Sequence, residues 1–176
     1  MGRLIDRKGF ECLIKAFAEI EKKFPDYSLI IFGEGPERGK LENVIKELNL
    51  SERVSLPGIK KKAIEDIAKS SVFVLSSEYE GMPNALIEAM ASGVPCISTD
   101  CPMGPSELIN SGENGFLVPV NDYRSMAELI EKVLLDKELS KKLSNNAVKI
   151  NQKLSQDIIF EQFMVYLNDV YKEQGR

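Results

Sequence analysis

The chain has 176 residues, enough for one domain of ordinary size with a single hydrophobic core. Its 27 acidic and 23 basic residues give a formal net charge of -4, which argues against the broad basic surface that nucleic-acid binding usually needs. Hydrophobic residues make up 43% and charged residues 28%, and no apolar run approaches the roughly 18 residues of a membrane span. We therefore expect a single domain over residues 1–176 that does not cross a membrane.

The chain contains three cysteines and no histidine. Histidine is the commonest general base and the commonest metal ligand, so its absence argues against catalytic triads and zinc sites, and we expect no cofactor and no metal. The cysteines, Cys12, Cys96 and Cys101, have no CxxC spacing, and we find no signal peptide ahead of them. This pattern favours a reduced, cytoplasmic protein.

Helical and strand patterns alternate along the chain. We predict helices over about 8–24, 36–48, 63–69 and 83–92, strands over 27–32, 53–56, 72–75, 95–98 and 115–118, and a helical remainder. This order favours an α/β fold, a Rossmann-like parallel sheet with helices on both faces. In such sheets, ligands bind beyond the carboxyl ends of the strands, where we expect Gly33 and the loops at 76–82 and 99–105.

The strongest motif is EYEGMPNALIEAMASGVP, at residues 78–95. We expect Pro83 at the first helical position, where free N–H groups and the helix dipole suit an anion such as phosphate. Gly81 would let the anion approach the backbone closely. On the helix, Glu88 shares a face with Asn84, Ala85 and Ser92, and a carboxylate among small residues can accept two ribose hydroxyls. Glu80 lies nearer the anion site and could hold a sugar.

Each of these features also has a plain structural explanation. Gly81 and Pro83 could be ordinary helix punctuation, and Glu88 could be a solvated helix carboxylate. Asn84 could be an early helix residue that bonds locally to the backbone. The residues alone leave these alternatives open.

The Glu-x7-Glu spacing of Glu80 and Glu88, inside EGMPNALIEAMASGVPCIS, resembles the signature of glycosyltransferase family 4. The similarity begins with GRLIDRKGF and continues through STDCPMGPSELI and NGFLVPVND, so it covers nearly the whole chain. It implies the C-terminal, nucleotide-sugar-binding half of a retaining transferase of the GT-B fold. The chain looks most like bacterial enzymes that build capsules, exopolysaccharides or lipid-linked glycans, including N-acetylgalactosaminyl and galactosyl transferases.

The resemblance also implies roles for individual residues. Arg3 and Lys8 correspond to the basic pair that binds the donor diphosphate, Glu80 to the carboxylate near the donor sugar, and Glu88 to the carboxylate on the ribose. The remaining expected contacts with the donor are Gly33, Gly58, Ile59, Gly81, Met82, Pro83 and Asn84. For Gly33 and the turn at Gly58 and Ile59, simple chain turns explain the sequence nearly as well.

One departure concerns the start of the domain. In the family, a complete apolar strand leads into the Gly-Arg pair, whereas only Met1 precedes Gly2 here. We therefore expect the first strand to be missing or truncated and the N-terminal acceptor domain to be absent. The chain alone would then be inactive.

The expected ligand is a nucleotide sugar, with UDP favoured over GDP by family frequency, carrying a hexose or N-acetylhexosamine for a glycan or lipid-linked acceptor. The full enzyme would associate peripherally with the inner face of the cytoplasmic membrane. A helix over about 157–171 carries apolar residues on more than one stripe, which predicts an exposed surface and self-association. Three alternatives stay open: a nucleotide-sugar-binding module without turnover, a nucleotide-sugar epimerase of the same architecture, and a regulatory phosphate-binding scaffold.

Overall fold

The structure is a computed structural model and describes residues 1–174. That part of the chain contains five strands, nine α-helices and one 3-10 helix, Asp6–Lys8. Apart from the 3-10 helix and the four-residue helix Pro105–Leu108, the order of the elements is the one that the hydrophobic pattern predicts. The strands are β1 (Leu29–Phe32), β2 (Val54–Gly58), β3 (Phe73–Leu75), β4 (Cys96–Thr99) and β5 (Phe116–Val118). The helices are α1 (Phe10–Ile20), α2 (Arg38–Glu47), α3 (Ala63–Ile67), α4 (Asn84–Ala91), α5 (Pro105–Leu108), α6 (Tyr123–Leu135), α7 (Lys137–Ala147), α8 (Ile150–Lys153) and α9 (Gln156–Gln174).

All strand pairs are parallel, and the strands form two sheets rather than one. β1 pairs with β2, while β4 lies between β3 and β5 with Ile97 opposite both Val74 and Phe116. All four residues of β4 are buried, as expected for a strand covered on both faces.

Helices cover both faces of the strands. Successive side chains of a strand point to opposite faces, and on β4 they enter different apolar clusters. Ile97 joins the cluster built by α1 and α6, whereas Cys96 joins the cluster built by Leu86 and Met90 of α4. The predicted fold class, parallel strands with helices on both sides, is therefore confirmed.

The helical remainder after β5 is divided by aspartate caps. Asp122 accepts a hydrogen bond from the N–H of Ser125 (3.0 Å) at the start of α6, and Asp136 accepts one from the N–H of Leu139 (2.9 Å) at the start of α7. Such side chains satisfy N–H groups that a helix start leaves without partners.

The first residues lie against the end of β1, and no strand precedes β1 in the described chain. The N–H of Gly2 donates to the carbonyl of Phe32 (2.9 Å), and the N–H of Leu4 donates to that of Glu34 (2.8 Å). Gly33 permits this approach, because a Cβ at Gly33 would lie 1.7 Å from the Gly2 carbonyl oxygen. The expected first strand is thus reduced to a short extended segment.

α9 exposes most of its described apolar side chains. Ile159, Phe160, Phe163, Val165, Tyr166 and Tyr171 are all exposed. The helix therefore presents the apolar surface that its pattern predicts, while self-association stays a prediction. Within residues 1–174, no helix combines the length and the hydropathy that a bilayer-spanning helix requires.

Candidate functional site

Buried polar side chains gather at the carboxyl ends of β3 and β4. Among the described residues, the buried polar or charged ones are Ser76, Ser77, Glu80, Ser98 and Thr99. Burying polar groups costs free energy unless they are hydrogen-bonded, so a group of them at one strand edge indicates a functional site.

An ion pair between Lys8 and Glu80 lies at the centre of this group. Lys8 Nζ is 2.6 Å from Glu80 Oε1, and the two side chains are 21% and 8% exposed. Ser77 Oγ donates to the same carboxylate oxygen at 2.6 Å. Both hydrogen bonds described for Glu80 go to Oε1, so Oε2 has no hydrogen-bond partner within residues 1–174.

Two adjacent serines hold the two halves of this ion pair. Ser77 contacts the carboxylate of Glu80, while Ser76 Oγ donates to the backbone carbonyl of Lys8 (2.8 Å). The backbones also pack closely, because a Cβ at Gly9 would lie 2.0 Å from the carbonyl oxygen of Ser76. The end of β3 therefore fixes both Lys8 and Glu80.

Thr99 and Cys101 close the buried side of the cluster. Thr99 Oγ1 donates to the carbonyl of Ser77. Burial raises the pKa of the Cys101 thiol, which keeps it in the neutral form next to the site. Thr99 at the end of β4 and Cys101 in the loop after it thus place neutral groups beside the Lys8–Glu80 pair.

The motif loop after Glu80 is open on one side. Gly81 and Met82 are exposed, and a Cβ at Gly81 would meet no atom within 4 Å. Pro83 is buried against the loop between β4 and α5, where a Cβ at Gly104 would lie 2.7 Å from Pro83 Cδ. The backbone at Gly81 and Met82 is therefore accessible to a ligand.

The expected position of Pro83 at the first helical residue is wrong. Its φ of -81° and ψ of 67° lie outside the helical region, and α4 begins at Asn84. The N–H of Asn84 is already used, since it donates to the carbonyl of Met82 (2.9 Å). The helix start consequently offers fewer free N–H groups to an anion than the sequence suggests.

Glu88 and Asn84 are both exposed on α4. The carboxylate of Glu88 forms no hydrogen bond or ion pair with any residue that the structure describes, although its backbone carbonyl accepts from Ser92 Oγ (2.8 Å). This carboxylate is available to a ligand, as the ribose interpretation requires.

A series of contacts through Gly33 and Gly2 connects the end of β2 to Lys8. The N–H of Gly33 donates to the carbonyl of Gly58 (2.9 Å), Gly33 packs on Gly2, and a Cβ at Gly2 would lie 3.7 Å from Lys8 Cε. These residues line the carboxyl ends of β1 and β2, but the space beside Gly33 is filled by the chain itself. The close packing against Gly2 therefore explains why position 33 is a glycine, and no ligand is needed to explain it.

Two predicted residues stand apart from the cluster. Arg3 is exposed and forms no ion pair with the rest of the described chain, and Ile59 is exposed after β2. Neither residue contacts Lys8 or Glu80 through a described hydrogen bond. Any contact of Arg3 or Ile59 with a donor therefore remains a proposal.

Sequence reasoning missed Ser76 and Ser77 as individual site residues. The available signal was a hydroxyl pair directly after a fully apolar strand, at the edge where ligands bind in parallel sheets. The sequence predicts that this loop is functional, but only the structure shows the hydrogen bond from Ser77 to Glu80.

Residues 1–150 match the family described as Glycosyl transferases group 1, which is most of the chain. The chain belongs to this family. The resemblance in the motifs is thereby confirmed, and the Lys8–Glu80 cluster is a feature of a group 1 glycosyl transferase domain.

Three relatives of this group 1 glycosyl transferase chain illustrate the match. The exopolysaccharide phosphotransferase SCO2592 of Streptomyces coelicolor is 36% identical over 92% of this chain and 17% of the relative. The N-acetylgalactosamine-N,N'-diacetylbacillosaminyl-diphospho-undecaprenol 4-alpha-N-acetylgalactosaminyltransferase of Campylobacter jejuni is 37% identical over 84% of this chain and 40% of the relative. A mutant of S. aureus TarM, solved in complex with fondaparinux, alpha-GlcNAc-glycerol and UDP, superposes with a TM-score of 0.87 at 27% identity, covering 93% of this chain and 33% of that one. The chain thus spans less than half the length of these relatives.

Proposed function

We propose that this chain is the donor-binding part of a retaining glycosyltransferase that takes its sugar from a UDP-sugar. The observation that carries the proposal is the Lys8–Glu80 pair at the carboxyl ends of the strands, beside the open backbone of Gly81 and Met82. One cation and one carboxylate side by side match the two parts of the ligand, a diphosphate and a sugar with hydroxyl groups.

UDP is the proposed nucleotide because of the similar TarM mutant structure that contains UDP. The proposed sugar is a hexose or an N-acetylhexosamine, as in the name of the Campylobacter jejuni relative. That relative's name also refers to a diphospho-undecaprenol acceptor, which supports a glycan or lipid-linked glycan as the acceptor class.

The chemistry follows from the charges. Breaking the bond between the anomeric carbon and the diphosphate makes negative charge grow on the leaving nucleotide. Lys8, with Arg3 as a second cation, would stabilise this charge, and removal of one preorganised donor of this kind typically costs about 10² to 10³ in rate. Glu80 would hold a hydroxyl of the sugar through Oε2, and Glu88 would hold the ribose.

Glu80 is a poor candidate for a nucleophile. Its Oε1 is already occupied by Lys8 and Ser77, and its carboxylate is fixed from one side. A group held in this way suits orientation of a substrate hydroxyl better than attack on the anomeric carbon. We therefore assign Glu80 to binding and orientation of the sugar.

The proposal predicts that the chain binds UDP without a divalent metal, because the cationic side chains meet the diphosphate charge. Calorimetric titration with UDP and with GDP, in buffer containing EDTA, would test this. Binding of UDP that is tighter than binding of GDP and insensitive to EDTA is expected. A strict requirement for Mg²⁺ or Mn²⁺ would contradict the roles given to Lys8 and Arg3.

A further inference from the structure

The hydroxyl of Ser77 is buried and meets the site through Glu80. Ser77 is only 1% exposed, whereas the loop that is open to a ligand, at Gly81 and Met82, is on the surface. Ser77 Oγ lies 2.6 Å from Glu80 Oε1, the oxygen that also meets Lys8. An effect of this hydroxyl on a bound ligand would therefore pass through the carboxylate of Glu80.

The backbone on either side of the Ser77 hydroxyl is held by bonds that do not involve the ammonium group of Lys8. The carbonyl of Ser77 accepts a hydrogen bond from Thr99 Oγ1. The N–H of the next residue, Glu78, donates to the carbonyl of Arg7 (2.8 Å). The position of the Ser77 hydroxyl therefore does not depend on which group the ammonium of Lys8 contacts.

A diphosphate that binds Lys8 would change the surroundings of Glu80. The phosphate oxygens and the Glu80 carboxylate are acceptors for the same ammonium group. The side chain of Glu80 is 8% exposed, and a buried charge without hydrogen bonds is costly in free energy. Within residues 1–174, Ser77 is the donor that remains to this carboxylate when Lys8 turns to the phosphates. By holding Oε1, Ser77 also keeps Oε2 in place.

We propose that Ser77 is a positioning residue, which keeps the Glu80 carboxylate hydrogen-bonded and turned toward the sugar when the diphosphate of the donor takes Lys8. The inference rests on the proposed function, because it concerns the same donor site. It adds that the affinity for the diphosphate and the preference among sugars both depend on a buried hydroxyl that the ligand does not touch.

Substitution of Ser77 by alanine tests this role in calorimetric titrations with UDP, uridine, UDP-galactose and UDP-N-acetylgalactosamine. We expect the binding of UDP to weaken about tenfold, because Glu80 loses its remaining donor when Lys8 moves to the phosphates. Uridine has no diphosphate, so its binding should be unchanged. The ratio of the affinities for the two UDP-sugars should move toward one, because the carboxylate is no longer held in one orientation.

A double-mutant cycle with Glu80→Ala separates positioning from general damage to the loop. In the Glu80→Ala background, Ser77→Ala should change the binding of UDP by less than about twofold, since no carboxylate remains to be held. Ser77→Thr keeps the hydroxyl and should bind UDP within about twofold of the unchanged chain. Ser144→Ala is the matched control, because Ser144 donates to the carbonyl of Gly93 at the far end of α4.

Two results would overturn the inference while the proposed function stands. If Ser77→Ala bound UDP as tightly as the unchanged chain, Ser77 would not support Glu80. If the loss were equal for uridine and UDP, or persisted in the Glu80→Ala background, it would reflect damage to the loop rather than the position of a carboxylate.

Failure of the proposed function gives a different result. If the unchanged chain bound neither UDP nor a UDP-sugar, the donor assignment would be wrong and the role of Ser77 would be wrong with it. Ser77→Cys covers the case in which Ser77→Ala does not fold, because a thiol is a weak donor. It should weaken the binding of UDP and spare uridine, and equal binding of UDP by Ser77→Cys and the unchanged chain would contradict the inference.

Discussion

Lys8 and Glu80 form an ion pair in which each side chain offsets the charge of the other. The ion pair is largely buried, and Ser77 holds the carboxylate on the same oxygen that meets Lys8. A diphosphate entering the site would compete with Glu80 for the ammonium group, because each is an acceptor for the same donor. Glu80 would thus affect both the affinity for the nucleotide and the orientation of the sugar.

Substitution of Lys8 tests the phosphate assignment. We expect Lys8→Ala to weaken the binding of UDP by about 1.5 to 3 kcal/mol, the usual contribution of a hydrogen bond to a charged group. The binding of uridine should be almost unchanged. Parallel calorimetric titrations with UDP and uridine would measure the difference. Lys15→Ala is the control, since Lys15 pairs with Glu11 on the exposed side of α1. Equal losses for both ligands would move Lys8 away from the phosphates.

At the residue scale, the sequence identified the charged partners but not their supports. Lys8 and Glu80 were predicted from motif resemblance, and the structure places them 2.6 Å apart. Ser77 could not be predicted, because its hydrogen bond depends on how the loop folds back after β3. The error at Pro83 has a related cause: proline fixes φ but leaves ψ free, so it fits the residue before a helix as well as the first helical residue.

At the scale of elements, Gly33 and Gly39 have opposite surroundings: Gly33 lies in a tightly packed turn, and Gly39 lies on an open helix surface. Gly33 has a φ of 145° and lies against the backbone of Gly2, where a Cβ would be 1.7 Å from an oxygen atom. Gly39 lies in α2, and a Cβ there would meet nothing within 4 Å.

The same substitution should therefore have opposite effects at these positions. We expect Gly33→Ala to lower the free energy of unfolding by about 1 to 3 kcal/mol through backbone strain and displacement of residues 2–4. Gly39→Ala should raise it by about 0.4 to 1 kcal/mol. Urea denaturation of both variants would measure the changes. A Gly33→Ala protein as stable as the unchanged chain would show that residues 2–4 are not packed as described.

Element order was predictable because helix and strand periods differ clearly in this chain, as in the apolar strand that became β3 and the amphipathic stripe of α1. Short elements, and the exact residues at which elements begin and end, were harder to predict from the sequence. α5 (Pro105–Leu108) begins at the end of the loop predicted at 99–105, and no helix was predicted there, since four residues carry too little periodicity to be distinguished from a turn.

At the scale of the whole molecule, the sequence predicted parallel strands with helices on both sides, and this is confirmed by the structure and by the match to the TarM mutant. It could not predict that the strands would lie in two sheets, with no ladder between β1 and β3 in the described part of the chain. Hydrophobic patterns identify strands that are buried, but they do not show which strand edges find a partner.

The exposed surface of α9 leads to a prediction about assembly. Phe160 and Phe163 are both exposed, and burial of a phenylalanine side chain contributes about 1.5 to 3 kcal/mol. We expect the chain to self-associate with rising concentration, and Phe160→Ser with Phe163→Ser to weaken this at least about tenfold. Sedimentation velocity over a range of concentrations would test it. Leu135→Ser, an equally exposed position on α6, is the control, and a monomer at every concentration would contradict the prediction.

The central claim is that Glu80 orients the sugar of a UDP-sugar while Glu88 binds the ribose of its UDP part. Calorimetric titration of Glu80→Ala and Glu88→Ala with UDP, UDP-galactose and UDP-N-acetylgalactosamine tests it most directly. Glu88→Ala should weaken the binding of all three ligands by about 1.5 to 3 kcal/mol, because they share the ribose. Glu80→Ala should bind UDP as tightly as the unchanged chain, or more tightly since Lys8 is released, and lose its preference between the two UDP-sugars. If Glu80→Ala abolished UDP binding while Glu88→Ala left it intact, the two assignments would be contradicted.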